Sequence, residues 1–259
     1  MPMLLPKVSI SIVSHSQSAM VKTLLEDIDN LCHTYPLEVV LTLNLPEVLA
    51  FDFSGFHFPV VLQCNEAPKG FAANHNQAYG LGSGDVFCVM NPDIRLVADP
   101  FPVLVACLGD NTIGVAAPLV LDANGAVEDS ARHFPTPLKI ACKAIGGCKG
   151  NDYPISNYEL QPDWVGGMFL LFRRTVFEQL GGFDQRYFLY YEDVDLCARL
   201  HLRGYKVVLS PQARVVHHAQ RSSRRELKYL SWHLQSMIRF FLSSVFWKVQ
   251  WHKILKAPP

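Results

Sequence analysis

The chain has 259 residues, 49% of them hydrophobic, with 23 basic and 23 acidic residues and a formal net charge of zero. That apolar content supports one large or two small domains and excludes a disordered chain. The balanced charge argues against nucleic acid as a partner. The balance is not uniform, because residues 221–259 hold Arg221, Arg224, Arg225, Lys228, Arg239, Lys248, Lys253 and Lys256 against Glu226 alone, a net +7. A basic tail on an otherwise acidic chain fits an anionic surface. The seven cysteines show no CxxC spacing, and most sit in apolar runs, which suits a reducing compartment. "MPMLLPKVSISIV" is too short and proline-broken for a signal peptide, and no run reaches about 18 uncharged apolar residues, so no membrane-crossing helix is expected.

In chain order, "KVSISIVSH" (7–15) predicts a strand and "MVKTLLEDIDNLC" (20–32) a helix, with Val21, Leu24, Leu25, Ile28 and Leu31 at helical spacing. "LEVVLTLN" (37–44) and "FPVVLQCN" (58–65) read as strands, "GFAANHNQAYGLG" (70–82) as a helix, and "DVFCVMNPD" (85–93) as a buried strand with a polar end. This alternation points to a doubly wound α/β sheet, whose ligands bind beyond the carboxyl ends of its strands. Ser14, His15, Asn44, Asn65, Asn91 and Asp93 stand at such ends. Further on come a strand and "DANG" turn (114–132), a long loop over 134–162, a buried strand "DWVGGMFLLFRR" (163–174), and a short helix in "TVFEQLGGFD". The helix "EDVDLCARLHLRG" stops at Gly204, and "YKVVLSP" is a last strand.

Three stretches carry chemistry, and each also has an ordinary structural reading. In "NPD" (91–93) a strand-end carboxylate suits a divalent cation that neutralises a diphosphate, but the same tripeptide is common in turns. In "GFAANHN", Gly70 and the amides at the helix start, Asn76 included, suit an anion or a base or sugar hydroxyl; helix capping is the alternative. In "EDVD" (192–195), Asp193 is either a helix cap or a general base, and Asp195 is spaced to pair with Arg199. The helix dipole lowers the pKa of Asp193, while the neighbouring Glu192 raises it. His217 and His218 follow a strand, where an imidazole serves as metal ligand, proton shuttle or structural group.

Taken together, "VSISIVSHSQS", "NEAPKGFAANHNQA", "VFCVMNPDIRL" and the run from "DWVGGMFLLF" through "GGFDQRYFLYYEDVDLCARLHLRGY" to "VVHH" resemble the inverting glycosyltransferases of family 2 over about residues 7–220. The likeness is greatest to bacterial rhamnosyltransferases of surface-polysaccharide assembly. The resemblance implies a GT-A fold, a mostly parallel Rossmann-like sheet flanked by helices, as a domain over 1–220, with a basic amphipathic helical tail over 221–259. It implies that Asp193 is the catalytic base with Glu192 beside it. Ser14, His15, Asn44, Asn65, Gly70, Asn76, Asn91 and Asp93 would surround a nucleotide sugar. Trp164, Gly166 and Gly167 would shape the sugar or acceptor pocket. Asp93 and His217 would hold Mg²⁺ or Mn²⁺. Two departures stand out: Asn91 replaces the first acid of the family's DxD, and Leu43 replaces an aspartate at the end of the second strand.

The implied donor is dTDP-rhamnose, with a UDP-hexose as the alternative, and the implied acceptor is a saccharide or a polyprenyl-diphosphate-linked sugar. Rival readings are a non-catalytic nucleotide-sugar binder and a nucleotidyltransferase; the latter lacks its basic, glycine-rich loop in "SHSQSAMVK". The expected location is cytoplasmic, peripheral on the inner face of the membrane. In the tail, Leu234, Ile238, Phe241, Val245 and Val249 recur at helical spacing, with Trp232, Trp247 and Trp251 nearby. That pattern suits a helix lying on an anionic bilayer. The alternative is a helix packed on the domain or on a second copy in a homodimer, and both readings stand at this point.

Overall fold

A computed structural model describes residues 5–144, 147, 150, 152–154, 156–218 and 227–256. Arg221, Arg224, Arg225 and Cys148 lie outside the described residues. The first half runs β1 (Val8–Ser14), α1 (Ser18–Leu31), β2 (Leu37–Leu43), β3 (Val60–Cys64), α2 (Phe71–Leu81), β4 (Val86–Met90), β5 (Ile94–Leu96) and α3 (Phe101–Cys107). The second runs β6 (Ile113–Asp122), β7 (Ala131–Arg132), α4 (Pro137–Ala144), β8 (Trp164–Val165), β9 (Phe169–Arg173), α5 (Arg174–Leu180), α6 (Glu192–Leu202), β10 (Lys206–His217), α7 (Leu227–Leu242) and α8 (Ser244–Lys256).

Eight strands form one sheet in the order β3-β2-β1-β4-β9-β6-β10-β5, and β7 pairs with β8 beside it. β1 lies parallel to both β2 and β4. The chain therefore winds outward through β2 and β3, then returns by α2 to the other flank of β1. That reversal opens a crevice at the carboxyl ends of β1 and β4, where ligands bind in such sheets. The sheet is mixed, because β9 runs antiparallel to β4 and β6, and β5 antiparallel to β10.

Both faces of the central strands are buried, whereas the edge strand β3 is largely exposed. Val8, Ile10 and Ile12 pack with Leu24, Leu25 and Ile28 of α1 and Leu104 of α3 on one side. Phe87, Val89 and Phe172 pack with Phe177 of α5 and Leu196 and Leu200 of α6 on the other. Near-continuous apolar strands are what a doubly covered sheet requires. The serines of β1 are buried too, and Ser11 has a polar partner in His75 of α2, at 2.7 Å.

Several expectations change in detail. The loop expected over 134–162 contains α4, an amphipathic helix opening on Pro137, a residue suited to a first helical turn. The run 163–174 is split at Gly166–Gly167, so β8 and β9 enter different sheets. The last strand extends past Pro211 to His217, with irregular register against β6 between Ser210 and Arg214. A reducing compartment would leave every cysteine a thiol; Cys32, Cys64, Cys88, Cys107 and Cys197 are free, whereas Cys142 is disulfide-bonded.

The tail forms two helices. Ser243 breaks them, its hydroxyl accepting the Phe246 N–H at 3.1 Å. Ser236 and Phe240 of α7 and Phe246 and Val249 of α8 are buried, and α8 packs against α6. Lys253 pairs with Asp163. Of the expected apolar stripe, Val249 points inward and Leu234 and Ile238 point to solvent. Phe246→Ala, which empties a core position under α6, is expected to lower unfolding free energy by about 3–5 kcal/mol in urea titration. An unchanged midpoint would mean that α8 contributes nothing to the core.

Candidate active site

Glu192 and Asp193 open α6 after an unusual turn. Tyr190 and Tyr191 both have positive φ, 69° and 67°. Two successive side-chain-bearing residues in the left-handed region cost on the order of 1–3 kcal/mol each and need support from their surroundings. Here the Tyr191 ring is buried and lies 5.5 Å from His233 and 5.7 Å from Phe240, both on α7. The double kink turns the chain so that the first residues of α6 face the Gly166–Gly167 break. Asp193 Oδ2 accepts the Gly167 N–H at 2.9 Å, and Oδ1 accepts the Val194 N–H at 2.8 Å. A Cβ on Gly167 would sit 3.3 Å from the Phe71 ring and 3.6 Å from the Asp193 carboxylate. Asp195 makes the expected pair with Arg199, at 2.7 Å.

The competition between helix start and neighbouring acid is decided by a third effect. Burial raises the Asp193 pKa, outweighing the N–H groups and Arg132, which lower it. Glu192 is raised well above its ordinary value, first by burial and then by the Asp193 charge. Its Oε2 is buried with no hydrogen-bond partner. Burial and the Asp193 charge thus both favour the neutral form of Glu192.

Asp193 lines a cavity of about 310 Å³ together with Arg132, Lys139, Trp164, Tyr190, Tyr191 and His233. The Trp164 indole donates to the His133 carbonyl at 3.0 Å, and the Arg132 guanidinium lies 5.4 Å from its ring centroid. A flat aromatic beside a guanidinium suits a sugar carrying negative charge. Arg132 and Lys139 lie in stretches expected as turn and loop, and no sequence signal marks them.

A second cavity, of about 300 Å³, opens at the crevice of the sheet. Its walls include His15, Asn44, Lys69, Gly70, Asn74, His75, Asn91 and Asp93, with Phe188, Tyr229 and Trp232 closing it. The two cavities are neighbours: Leu189 and Trp232 face this one, while Tyr190 and His233 face the first. Trp232 lies 4.6 Å from Phe188, ring to ring. Burial holds the His75 pKa down at about 3, so this wall carries a neutral imidazole.

The sequence-marked polar residues divide. Asn91 and Asp93 line the second cavity, as do His15, Asn44 and Gly70. The Asn44 amide, however, is occupied by the Lys69 backbone, His15 and Asn65. Asn65 in turn donates to Asn74 at 2.7 Å and faces a separate crevice with Glu47. These amides brace the cavity rim. Asn76 is not on the wall; its amide exchanges two hydrogen bonds with the Phe183 backbone. Ser14 is buried and accepts the Gln17 N–H, shaping the loop into α1. Gly70 is required by contact, since a Cβ there would lie 2.4 Å from the Phe188 carbonyl oxygen.

Asp93 and His217 meet across the sheet: His217 Nε2 lies 3.2 Å from Asp93 Oδ2. The other imidazole nitrogen lies 2.9 Å from Glu128 Oε2, a residue that the motifs did not mark. Burial would lower the His217 pKa, but the two carboxylates outweigh it and lift it to about 9. Asp93 Oδ1 is buried with no hydrogen-bond partner. Among the described residues no cluster of three or more His, Cys, Asp or Glu side chains is placed to hold a metal ion.

No protein-family model matches the chain. The N-acetylglucosaminyl-diphospho-decaprenol L-rhamnosyltransferase of Mycobacterium tuberculosis is 36% identical over 152 residues, 55% of this chain and 50% of that protein. The chain thus spans half the length of that relative. Rhamnosyltransferase WbbL of Escherichia coli is 27% identical over 245 residues, 90% of this chain and 92% of WbbL. Among solved structures, GalNAc-T7 with UDP, GalNAc and Mn²⁺ superposes with TM-score 0.64 at 17% identity, over 83% of this chain and 44% of that one. The mannosyltransferase PcManGT from Pyrobaculum calidifontis, with GDP-Man and Mn²⁺, gives 0.60 at 19%, over 92% and 66%. These structural likenesses establish the fold, which is GT-A.

The state of Glu192 makes stability pH-dependent. A carboxyl whose pKa is raised by folding gives its full contribution below the unfolded pKa of about 4.3 and loses it as pH rises toward the folded value. Glu192→Gln, which mimics the protonated form, is expected to melt with the wild type near pH 4 and clearly above it at pH 8. An equal offset at both pH values would mean that Glu192 is ionised in the native state.

Proposed function

We propose that this chain, GT-A in fold and rhamnosyltransferase-like in sequence, is an inverting glycosyltransferase. It moves a sugar, L-rhamnose from dTDP-rhamnose, to a hydroxyl of a saccharide or polyprenyl-diphosphate-linked acceptor in surface-polysaccharide synthesis. The observation that carries this reading is the placement of Asp193. A half-buried carboxylate of raised proton affinity lines one cavity, and the Asp93–His217 pair lines or borders the neighbouring one. Donor and acceptor need such adjoining compartments, with a base on the acceptor side.

In this scheme the nucleotide sugar occupies the cavity at the crevice of the sheet, and the acceptor occupies the cavity of Trp164 and Arg132. Asp193 takes the proton of the acceptor hydroxyl as its oxygen bonds to the anomeric carbon. The bond from that carbon to the diphosphate breaks, and the nucleoside diphosphate leaves from the opposite face, so configuration inverts. The Gly167 N–H holds the carboxylate in place, and protonated Glu192 adds no second negative charge. Asp93, through its orphaned Oδ1, and His217, on giving up a proton, are the residues that would hold a divalent cation here. When bound, Mg²⁺ or Mn²⁺ would neutralise the charge of the departing diphosphate. The M. tuberculosis relative, by its name, uses a sugar on a decaprenyl diphosphate; in the acceptor cavity here Arg132 and Lys139 are each paired with an acid, Asp129 and Asp152. Asp193→Asn keeps shape and removes the base. It is expected to lower kcat by at least about 100-fold with donor affinity retained, measured by product formation and by donor titration. Turnover near that of the wild type would assign the base elsewhere.

The tail's outward face supports bilayer docking. On α7, Leu227, Leu230, Leu234, Ile238 and Leu242 are exposed at three- and four-residue intervals, opposite buried Ser236 and Phe240. Trp247 and Trp251 are exposed one turn apart on α8, and Lys228, Arg239 and Lys248 are exposed on the same two helices. Leucines, tryptophans and cations together suit the headgroup boundary of an anionic membrane. Among the described residues no helix is long and apolar enough to cross a bilayer. The protein is expected to sediment with phosphatidylglycerol vesicles at low salt, to be released at high salt, and to lose binding on Leu234→Glu with Ile238→Glu. If instead the double variant turns a dimer into a monomer in light scattering and the wild type ignores vesicles, the face is an interface between two copies.

A further inference from the structure

The turn after β6 carries the chain back toward its own strand. Asp122 Oδ1 accepts the N–H groups of Asn124 and Ala126, and Gly125 completes the turn at a φ of 80°. The returning segment pairs again, Val127 bridging to Leu121 and the Glu128 N–H donating to the Val120 carbonyl at 2.9 Å. On the far side of β6, β10 runs parallel and brings His217 opposite Asp122. Glu128 thereby reaches His217 from one side, 2.9 Å from Nδ1, while Asp93 sits 3.2 Å from Nε2 on the other. The imidazole side chain is 13% exposed.

We infer that Glu128 is a positioning residue for His217. Its carboxylate accepts the Nδ1–H, which fixes both the ring plane and the tautomer. Nε2 is then the nitrogen turned to the Asp93 side, 3.2 Å from Oδ2, and a bound cation would take the place of the proton held there. Without that hydrogen bond a neutral imidazole is free to carry its proton on Nε2 or to turn, and either change removes the ligand lone pair from the site. Histidines that bind metal commonly donate their second N–H to a carboxylate, and loss of such a partner weakens metal affinity by about 10–100-fold. The inference rests on the metal reading of Asp93 and His217 given above. It assigns a purpose to the turn, because Asp122 and Gly125 fold the chain so that Glu128 comes level with the end of β10.

The test is Mn²⁺ binding, read from the loss of the free-ion electron paramagnetic resonance signal, alone and with inorganic diphosphate. Asp93→Ala and His217→Ala serve as ligand controls. Glu128→Ala is expected to weaken Mn²⁺ binding by about 10–100-fold. Glu128→Gln, whose amide oxygen still accepts the Nδ1–H, should recover most of that loss. Metal-free melting of each variant separates a clamp on the turn from an effect on the ligand. Mn²⁺ affinity within twofold of wild type in Glu128→Ala, with the ligand controls impaired, overturns the positioning role and leaves the metal reading standing. Equal losses in the Ala and Gln variants that track their metal-free melting also overturn it. If the wild type and both ligand controls bind Mn²⁺ alike or not at all, the metal reading fails and the inference falls with it.

Discussion

The hydrogen bond from the Gly167 N–H to the Asp193 carboxylate is the contact on which the architecture of the site depends. A carboxylate taken out of water needs donors in fixed positions, or it takes up a proton. The chain supplies two backbone N–H groups and little else. Burial outweighs them and leaves the proton affinity of Asp193 raised, the direction in which a general base for neutral pH is tuned. The Gly167 contact also explains local irregularities that would otherwise be costs. The break between β8 and β9 frees the Gly167 N–H from any ladder. The absence of a side chain at 167 lets Phe71 and Asp193 approach it from either side. The paired left-handed conformations of Tyr190 and Tyr191 aim the start of α6 at that same N–H.

The opposite wall depends on topology instead. Asp93 follows β4 and His217 ends β10, and two strands, β9 and β6, lie between β4 and β10 in the sheet. β5 closes the gap, because it turns back directly after Asp93 and pairs antiparallel with the end of β10, His217 opposite Ile94. The His218 N–H to the Asp93 carbonyl, 2.8 Å, locks the junction. Antiparallel β9 stands between β4 and β6 and so separates the parallel strands β3-β2-β1-β4 from the parallel pair β6-β10.

Strands, helices and the crevice were legible because period and polarity changed together: the buried runs of β2 and β4 ended in polar residues at Asn44, Asn91 and Asp93, and the apolar run of β3 at Asn65. The direction of β9 was not, since a buried apolar strand reads alike in either sense. Asp193 and His217 were marked by the order of motifs, in keeping with a family resemblance. Glu128 and Arg132 were not, because each acts through a tertiary contact: one reaches an imidazole 89 residues away, the other an indole in a neighbouring strand. Amides at strand ends suit ligands and suit one another equally, and in this chain Asn44, Asn65 and Asn74 bond to one another and to the backbone, while the Asn65 Oδ1 is buried without a hydrogen-bond partner.

The tail shows why its two sequence readings were both reasonable. A helix that only anchors has one apolar face, and a helix that only packs has its apolar face inward. α7 is apolar on opposite sides. Inward, Tyr229 and Trp232 close the cavity at the crevice of the sheet, and His233 lies beside Tyr190 and Tyr191 on the wall of the Asp193 cavity. Outward, its leucines meet solvent. The strained Tyr190–Tyr191 turn leans on the same helix. Whatever settles on the outer face of α7 therefore bears, through one rigid element two side chains thick, on the kink that aims Asp193. Under the proposed function, a lipid surface would hold that helix down as a lipid-borne acceptor is presented, and attachment and alignment of Asp193 would share a single structural element.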